Sequence, residues 1–338
     1  MKITVLPVEE ALGKPLAHDL TQVDIARGTK GARFKKGQII GPEDLPVLRS
    51  MGREHLQILE LEPDEVHEDD AALEMARVLQ GENLSLKGPD EGRCTLVADV
   101  SGLLLFREAS VHGVNEDPDW VLSTLLPRRS VQAGQPVAAF RIRPLSVRRT
   151  VVDRALAAAS PLRVVPFRPL KVGLVTTGSE IRSGKIADAF RPKLERKLVP
   201  YGGTLLDQWI VSDGVEEIAG AIRSALDRGA DLVLCTGGMS VDADDRTPGG
   251  IRAVADRVAF QGVPSLPGSM LMLAWAGDRA LMGAPACVIH DETTTLDRLL
   301  PFLFAGVPVE QEVRRWGVGG LCARCPACVF PNCAFGGA

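Results

Sequence analysis

From residue 171 onward, apolar positions come in short unbroken runs, with amphipathic stretches between them. KVGLVTT (171–177), GTLLDQWIV (203–211), ADLVLC (230–235) and RALMGAP (279–285) have strand length and meet glycine or polar loops. Continuous apolar runs of this kind read as strands buried on both faces. Helical periodicity fills the gaps between them. DAFRPKLERKLVPYGG (188–203) is closed by glycines. In SDGVEEIAGAIRSALDRG (212–229), Ile218, Ile222 and Leu226 share a face, Asp213 and Glu216 form a capping-box-like start, and Gly229 supplies the stop. TPGGIRAVADRV (247–258) and DETTTLDRLLPFLFAG (291–306) complete the series as further helices. Strands and helices alternating at these lengths predict an α/β fold: a doubly wound, mainly parallel sheet.

The first 160 residues have a different texture. GARFKKGQIIGPEDLPVLRSMG (31–52) reads as a turn and a short helix, and HEDDAALEMARVLQG (67–81) as an amphipathic helix with acidic residues at its positive end. LVADVSGLLLF and QPVAAFRIRPLSV are strand-like segments separated by polar, proline-containing turns. This is α+β material without the strand–helix–strand rhythm. The boundary is expected near 155–168, where PLRVVPFRPL carries three prolines. The expected organisation is therefore an α+β companion region over 1–160, the α/β domain over 163–310 and a cysteine-rich tail over 318–338.

Composition narrows the function classes. With 45% hydrophobic and 24% charged residues, the chain has the make-up of an ordinary globular protein. A net charge of −4 gives no electrostatic footprint for nucleic acid or an anionic membrane. MKITVLPVEEALG lacks the basic-then-apolar form of a secretory signal, and the most apolar region, 264–289, is broken by Pro267, Gly268, Asp278, Arg279 and Pro285. The expectation is a cytoplasmic protein with no membrane or nucleic-acid partner.

Chemistry concentrates at two strand ends. CTGGMSVDADDRTP (235–248) runs from a strand through Gly237 and Gly238, past Asp242, Asp244 and Asp245, to Thr247 and Pro248, which read as N-cap and first helical residue. Helix-start N–H groups suit a phosphate. Gly249 and Gly250 are expected to leave them unobstructed, and the carboxylates suit a bridging Mg²⁺. TTGSE (176–180) ends another strand, and ligands of open α/β sheets sit beyond the carboxyl ends of strands. Taken singly, either loop could be an ordinary glycine turn with a solvated acidic stretch.

Taken together, VGLVTTGSE and ADLVLCTGGMSVDADDRTP, in this order and with helices between, resemble the molybdopterin-binding domain of molybdopterin adenylyltransferases and molybdotransferases. The proline-glycine and glycine-x-proline loops of VPSLPGSMLMLAWAGDRALMGAPACVI (263–289) extend the resemblance over roughly 170–306. ALGKPLAHDLT and KKGQIIGPEDLPVLRSMG resemble, more weakly, the N-terminal region of molybdotransferases. The family implies binding of molybdopterin or its adenylylated form, with Mg²⁺ and with molybdate or tungstate as the metal substrate. By carry-over, Gly237, Gly238, Ser240, Thr247 and Pro248 contact the pterin phosphate, with Thr177 and Gly178 facing them. Asp245, aided by Asp242 or Asp244, positions Mg²⁺, and Ser179 and Glu180 border the molybdate or nucleotide side. This chain departs from the family at Ser179, where molybdotransferases usually carry aspartate, and at Asp242-Ala243, where they carry glycine then aspartate. They also normally end in a further small β domain, which is not expected after the last helix here.

The tail holds the remaining signal. Cys322, Cys325, Cys328 and Cys333 make C-x₂-C-x₂-C-x₄-C, four of the chain's seven cysteines. In a reducing compartment such density points to a metal, either an iron–sulfur cluster, as in the C-x₂-C-x₂-C run of ferredoxins, or Zn²⁺. Val329, Phe330 and Phe335 are expected to pack around it. Cys235 and Cys287 sit in apolar runs as core residues, Cys94 has no evident role, and His290-Asp291-Glu292 is expected to open a helix. The function expected is molybdenum-cofactor biosynthesis or handling by a transferase that assists metal insertion. The rival is a non-catalytic cofactor carrier or sensor with a metal-bearing tail, and a nucleotide-pyrophosphate hydrolase on the same sheet is a third reading. A molybdoenzyme apoprotein partner and a homo-oligomer remain open.

Overall fold

The computed structural model describes residues 2–24, 29–178, 182, 188–239 and 245–336. Their contacts divide into two compact units. One comprises Met1–Asp99, Phe106–Leu125 and Gly134–Arg163; the other comprises Val100–Leu105, Leu126–Ala133 and Val164–Ala338.

The second unit is built on a six-stranded sheet of β1 (Lys171–Thr177), β2 (Thr204–Val211), β3 (Leu232–Thr236), β4 (Arg257–Gln261), β5 (Met272–Ala276) and β6 (Arg279–Ala284), in the order β2-β1-β3-β6-β5-β4. β2, β1, β3 and β6 run parallel, whereas β5 and β4 are antiparallel additions. Helices cover both faces. On one side α1 (Phe190–Leu198) and α4 (Thr295–Ala305) pack on Val172, Leu174, Leu232, Leu234 and Met282. On the other, α2 (Val215–Asp227) and α3 (Thr247–Arg252) pack on Val175, Val233, Cys235 and Leu281. In β3, successive residues of Leu-Val-Leu-Cys alternate between these cores, which is why the run contains no polar residue until Thr236. The sheet is thus doubly wound and mainly parallel.

Three details differ from the sequence expectation. The stretch expected as one helix over 247–258 is a helix only to Arg252, after which Arg257–Gln261 forms the edge strand β4. Beside it β5 takes up the apolar run MLAWA, which periodicity alone left unassigned. α2 is capped one residue later than expected: Gly214 is the N-cap, and the Glu217 carboxylate accepts from the Ser212 N–H at 3.3 Å. Finally, α4 begins at Thr295 rather than at His290. Thr294 caps it, with Asp297 Oδ2 accepting from the Thr294 N–H at 2.8 Å in a capping box.

The first unit is α+β. Its four-stranded antiparallel sheet runs in the order Leu84–Asp90, Arg93–Ala98, Pro136–Ile142, Trp120–Thr124. The helix Glu68–Leu79 buries Ala71, Ala72, Met75, Ala76 and Leu79. Two further helices appear: Glu108–Asn115 where the sequence suggested only turns between strands, and Arg149–Ala158 where it assigned no element. A separate hairpin-like pair, Lys2–Pro7 with His55–Glu60, has its own small core around Leu16, Leu48 and Ile58.

Candidate functional site

The winding of the sheet defines where a ligand can sit. From β1 the chain passes through α1 to β2 on one side, then through α2 to β3 on the other. The connections therefore part above β1 and β3, and a crevice opens at their carboxyl ends. The two strands are in register there, Val175 opposite Cys235 and Thr176 opposite Thr236.

Threonines form the floor of this crevice. Thr176, Thr177, Thr236 and Thr247 are all buried, and their hydroxyls bond to one another and to backbone. Thr236 Oγ1 donates to Thr176 Oγ1 at 3.3 Å, Thr177 Oγ1 donates to the Thr236 carbonyl at 3.3 Å, and the Thr177 and Thr247 hydroxyls lie 3.2 Å apart. Gln208 Nε2 on β2 donates to Thr176 Oγ1 at 2.9 Å and to Asp188 Oδ2 at 2.7 Å, extending the network toward α1. Buried hydroxyls satisfied in this way fix the loops they carry.

Thr247 does not cap α3, as the sequence suggested. It is the first helical residue, and its hydroxyl donates at 2.8 Å to the carbonyl of Gly237, while its N–H donates at 3.2 Å to the carbonyl of Gly238. The helix start is thereby tied to the loop leaving β3. Gly237 has a φ of 83°, and a Cβ on it would overlap the Thr177 carbonyl, so this close approach requires glycine. Gly249 and Gly250 have another purpose than the open phosphate approach expected of them. Both face α2, and a Cβ on Gly250 would overlap the Ile218 side chain. They are packing glycines.

Asp245 stands just before α3, and its Oδ2 is buried with no hydrogen-bond partner among the described residues. An unpartnered carboxylate oxygen is costly unless a cation or donor joins it. The donor chemistry therefore fits a hard divalent ion such as Mg²⁺. Of the residues expected at the site, Thr177, Gly178, Gly237, Gly238, Asp245, Thr247 and Pro248 are brought to this crevice. Ser179, Glu180, Ser240, Asp242 and Asp244 lie outside the described residues. Sequence reasoning missed Thr176, Gln208, Asp188 and Thr236. Their signal was polar residues placed within or beside otherwise apolar buried strands.

The tail lies on the same unit. Leu266 and Gly320–Cys322 exchange backbone bonds, Leu266 N–H to the Gly320 carbonyl at 2.7 Å and Cys322 N–H to the Leu266 carbonyl at 2.9 Å. Trp316 and Phe335 are buried on either side of the cysteine run. Cys322, Cys325, Cys328 and Cys333 line one cavity of about 340 Å³, together with Val329, Phe330 and Phe335. His290, Asp291, Glu292 and Thr293 form another part of its wall. They lie in the turn before α4 instead of opening a helix, and Asp291 pairs with Arg324 at 3.1 Å. Among the described residues, no three His, Cys, Asp or Glu side chains converge as a site for a single ion. The other cysteines differ: burial pushes the Cys235 thiol up to about 12 and Cys94 up to about 11, which keeps both protonated and inert. No helix among the described residues is long and apolar enough to cross a membrane.

Sheet order and helical layers define a doubly wound α/β domain. Residues 173–313 match the family model described as "Probable molybdopterin binding domain", and this segment belongs to that family. Residues 5–60 match a second model, a domain of unknown function, DUF8806. A CinA-like protein of Frankia casuarinae is 40% identical over 86 residues, which is 25% of this chain and 20% of that protein. A CinA-like protein of Mycobacterium avium is 34% identical over 77 residues, 23% of this chain and 18% of that protein. The chain thus spans about a fifth of the length of these relatives. Among solved structures, the molybdopterin biosynthesis enzyme MoaB of Thermus thermophilus is 23% identical, covering 41% of this chain and 98% of its own, with a TM-score of 0.35. The molybdopterin biosynthesis Mog protein of Mycobacterium ulcerans is 22% identical, covering 43% and 99%, also with a TM-score of 0.35.

Proposed function

We propose that this protein binds molybdopterin, or its adenylylated form, by the phosphate at the crevice between β1 and β3, and that it serves in the biosynthesis or handling of the molybdenum cofactor. The observation that carries the reading is the buried, unpartnered Oδ2 of Asp245 beside two loops fastened by Thr177, Thr236 and Thr247. Bound Mg²⁺ would offset phosphate charge there, with Asp245 as the described ligand and Asp242 and Asp244 as further candidates. Gly237 and Gly238 let backbone approach the phosphate, while Pro248 and Thr247 hold the helix start in place behind them. Ser240 adds a hydroxyl on the same loop. On the β1 side, Gly178, Ser179 and Glu180 border the position of the nucleotide or of the incoming molybdate or tungstate. The activity proposed is that of a transferase assisting metal insertion, with cytoplasmic location and delivery to a molybdoenzyme apoprotein as its setting.

Ser179, standing where molybdotransferases usually carry aspartate, favours a second reading in which the protein carries the finished cofactor without turnover. Native mass spectrometry of the purified protein, followed by assay of molybdate incorporation, tests both. Bound pterin with turnover supports the transferase, bound pterin without turnover supports the carrier, and no affinity for pterin rejects both.

A further inference from the structure

We propose that Cys322, Cys325, Cys328 and Cys333 hold an iron–sulfur cluster in the cavity they line on the α/β unit. The four cysteines all line this one cavity. The cavity of about 340 Å³ is roughly ten times the ~30 Å³ share of a water molecule in the liquid. A single tetrahedral Zn²⁺ draws four sulfurs to about 2.3 Å from one centre and leaves no such space. A polynuclear centre occupies the space between its thiolates, and C-x₂-C-x₂-C is a spacing such centres use.

The surroundings suit an anionic, sulfur-ligated group. The segment is seated before and after the cysteines, by the Leu266 backbone pairing at Gly320 and Cys322 and by the buried ring of Phe335. All four thiols come from one short segment, so little chain entropy opposes closing them round one centre. The Thr293 hydroxyl lies 3.0 Å from Cys328 Sγ, a hydrogen bond to a ligand sulfur of the sort that tunes a cluster. Two buried guanidinium groups supply positive charge nearby. Arg129 donates to Asn332, the neighbour of Cys333, while its Nε is buried with no hydrogen-bond partner among the described residues. Arg298 sits against both Trp316, at 4.7 Å, and Phe335, at 5.2 Å. Phe330 and Phe335 add an apolar wall. The cavity also has a defined place relative to the crevice. Its His290–Thr293 wall follows β6, the strand beside β3, so it belongs to the carboxyl edge of the same sheet.

The test is anaerobic purification of the full chain, with reconstitution from ferrous iron and sulfide where the centre has been lost. The expected protein is brown and contains iron and acid-labile sulfide in equal amounts. Cys325 and Cys328 are exposed, so Cys325→Ser and Cys328→Ser should lose colour and sulfide while their thermal melts still show a folded sheet unit. Cys94→Ala, in the other unit, should keep the full iron content. Thr293→Val should retain the iron but shift the reduction potential downward, an effect that a merely structural threonine would not produce. One zinc with no sulfide overturns the proposal, as does a metal-free protein whose four tail thiols are all alkylated in the native state after reconstitution. None of these readouts involves pterin, so this test and that of the crevice fail independently.

Discussion

The hydroxyl of Thr247 donates to the carbonyl of Gly237 at 2.8 Å, ten residues back along the chain, and so ties the start of α3 to the end of β3 in one hydrogen-bonded frame. Thr177 joins the same frame from β1 at 3.2 Å from the Thr247 hydroxyl. Replacing Thr247 by valine keeps its shape and removes the hydroxyl, leaving a buried carbonyl short of its partner. Urea denaturation should show a loss of about 1–3 kcal/mol, the penalty of an unsatisfied buried group. Thr247→Ser should lose much less, and equal losses for the two variants would remove the hydroxyl from this role.

Gly250 presses on Ile218 across the α2–α3 contact. On sequence alone, a charge placed there would be expected to repel the phosphate. The structure gives a different cause. Gly250→Ala, which adds no charge, should already destabilise the protein by about 1–3 kcal/mol through overpacking. Combining it with Ile218→Ala should be less harmful than the sum of the two single changes, a coupling that a double-mutant cycle measures.

Lys197 and Asp297 are both nearly buried, with Lys197 Nζ 2.7 Å from Oδ1 and 2.9 Å from Oδ2. The lysine also donates to the Glu292 carbonyl at 2.6 Å, linking α1 to the turn that walls the cysteine cavity. Lys197→Met strands the Asp297 carboxylate and should lower stability by about 3–5 kcal/mol. A change under about 1 kcal/mol, the range of exposed ion pairs, would contradict the burial argument.

Much of the sheet unit was legible in the sequence because its strands are buried on both faces. Leu232 to Cys235 and Val172 to Val175 lie between two helical layers and carry no polar side chain, so they announce themselves. The edge was less legible. RVAFQ lies on the sheet's last strand and alternates too briefly to stand apart from the helix before it, and MLAWA merges with its apolar neighbours. At the crevice, glycines and aspartates drew attention through residue type. Thr176 and Thr236 did not, since their importance comes from β1 and β3 lying side by side, which local pattern does not encode. The same holds for Gly249 and Gly250, whose purpose depends on α2 crossing them. The tail cysteines were visible as spacing, but the wall contributed by His290–Thr293 required the fold.

The central claim rests on Asp245, whose Oδ2 is buried without a partner among the described residues. It is tested most directly by following the thermal midpoint of wild type and Asp245→Asn with and without Mg²⁺ and molybdopterin. A ligand that binds only the folded state raises the midpoint according to its affinity. The expected result is that Asp245→Asn alone melts no lower than wild type, because it removes a desolvated charge, while the joint stabilisation by Mg²⁺ and molybdopterin seen in wild type disappears. Equal stabilisation of the two proteins would contradict the account.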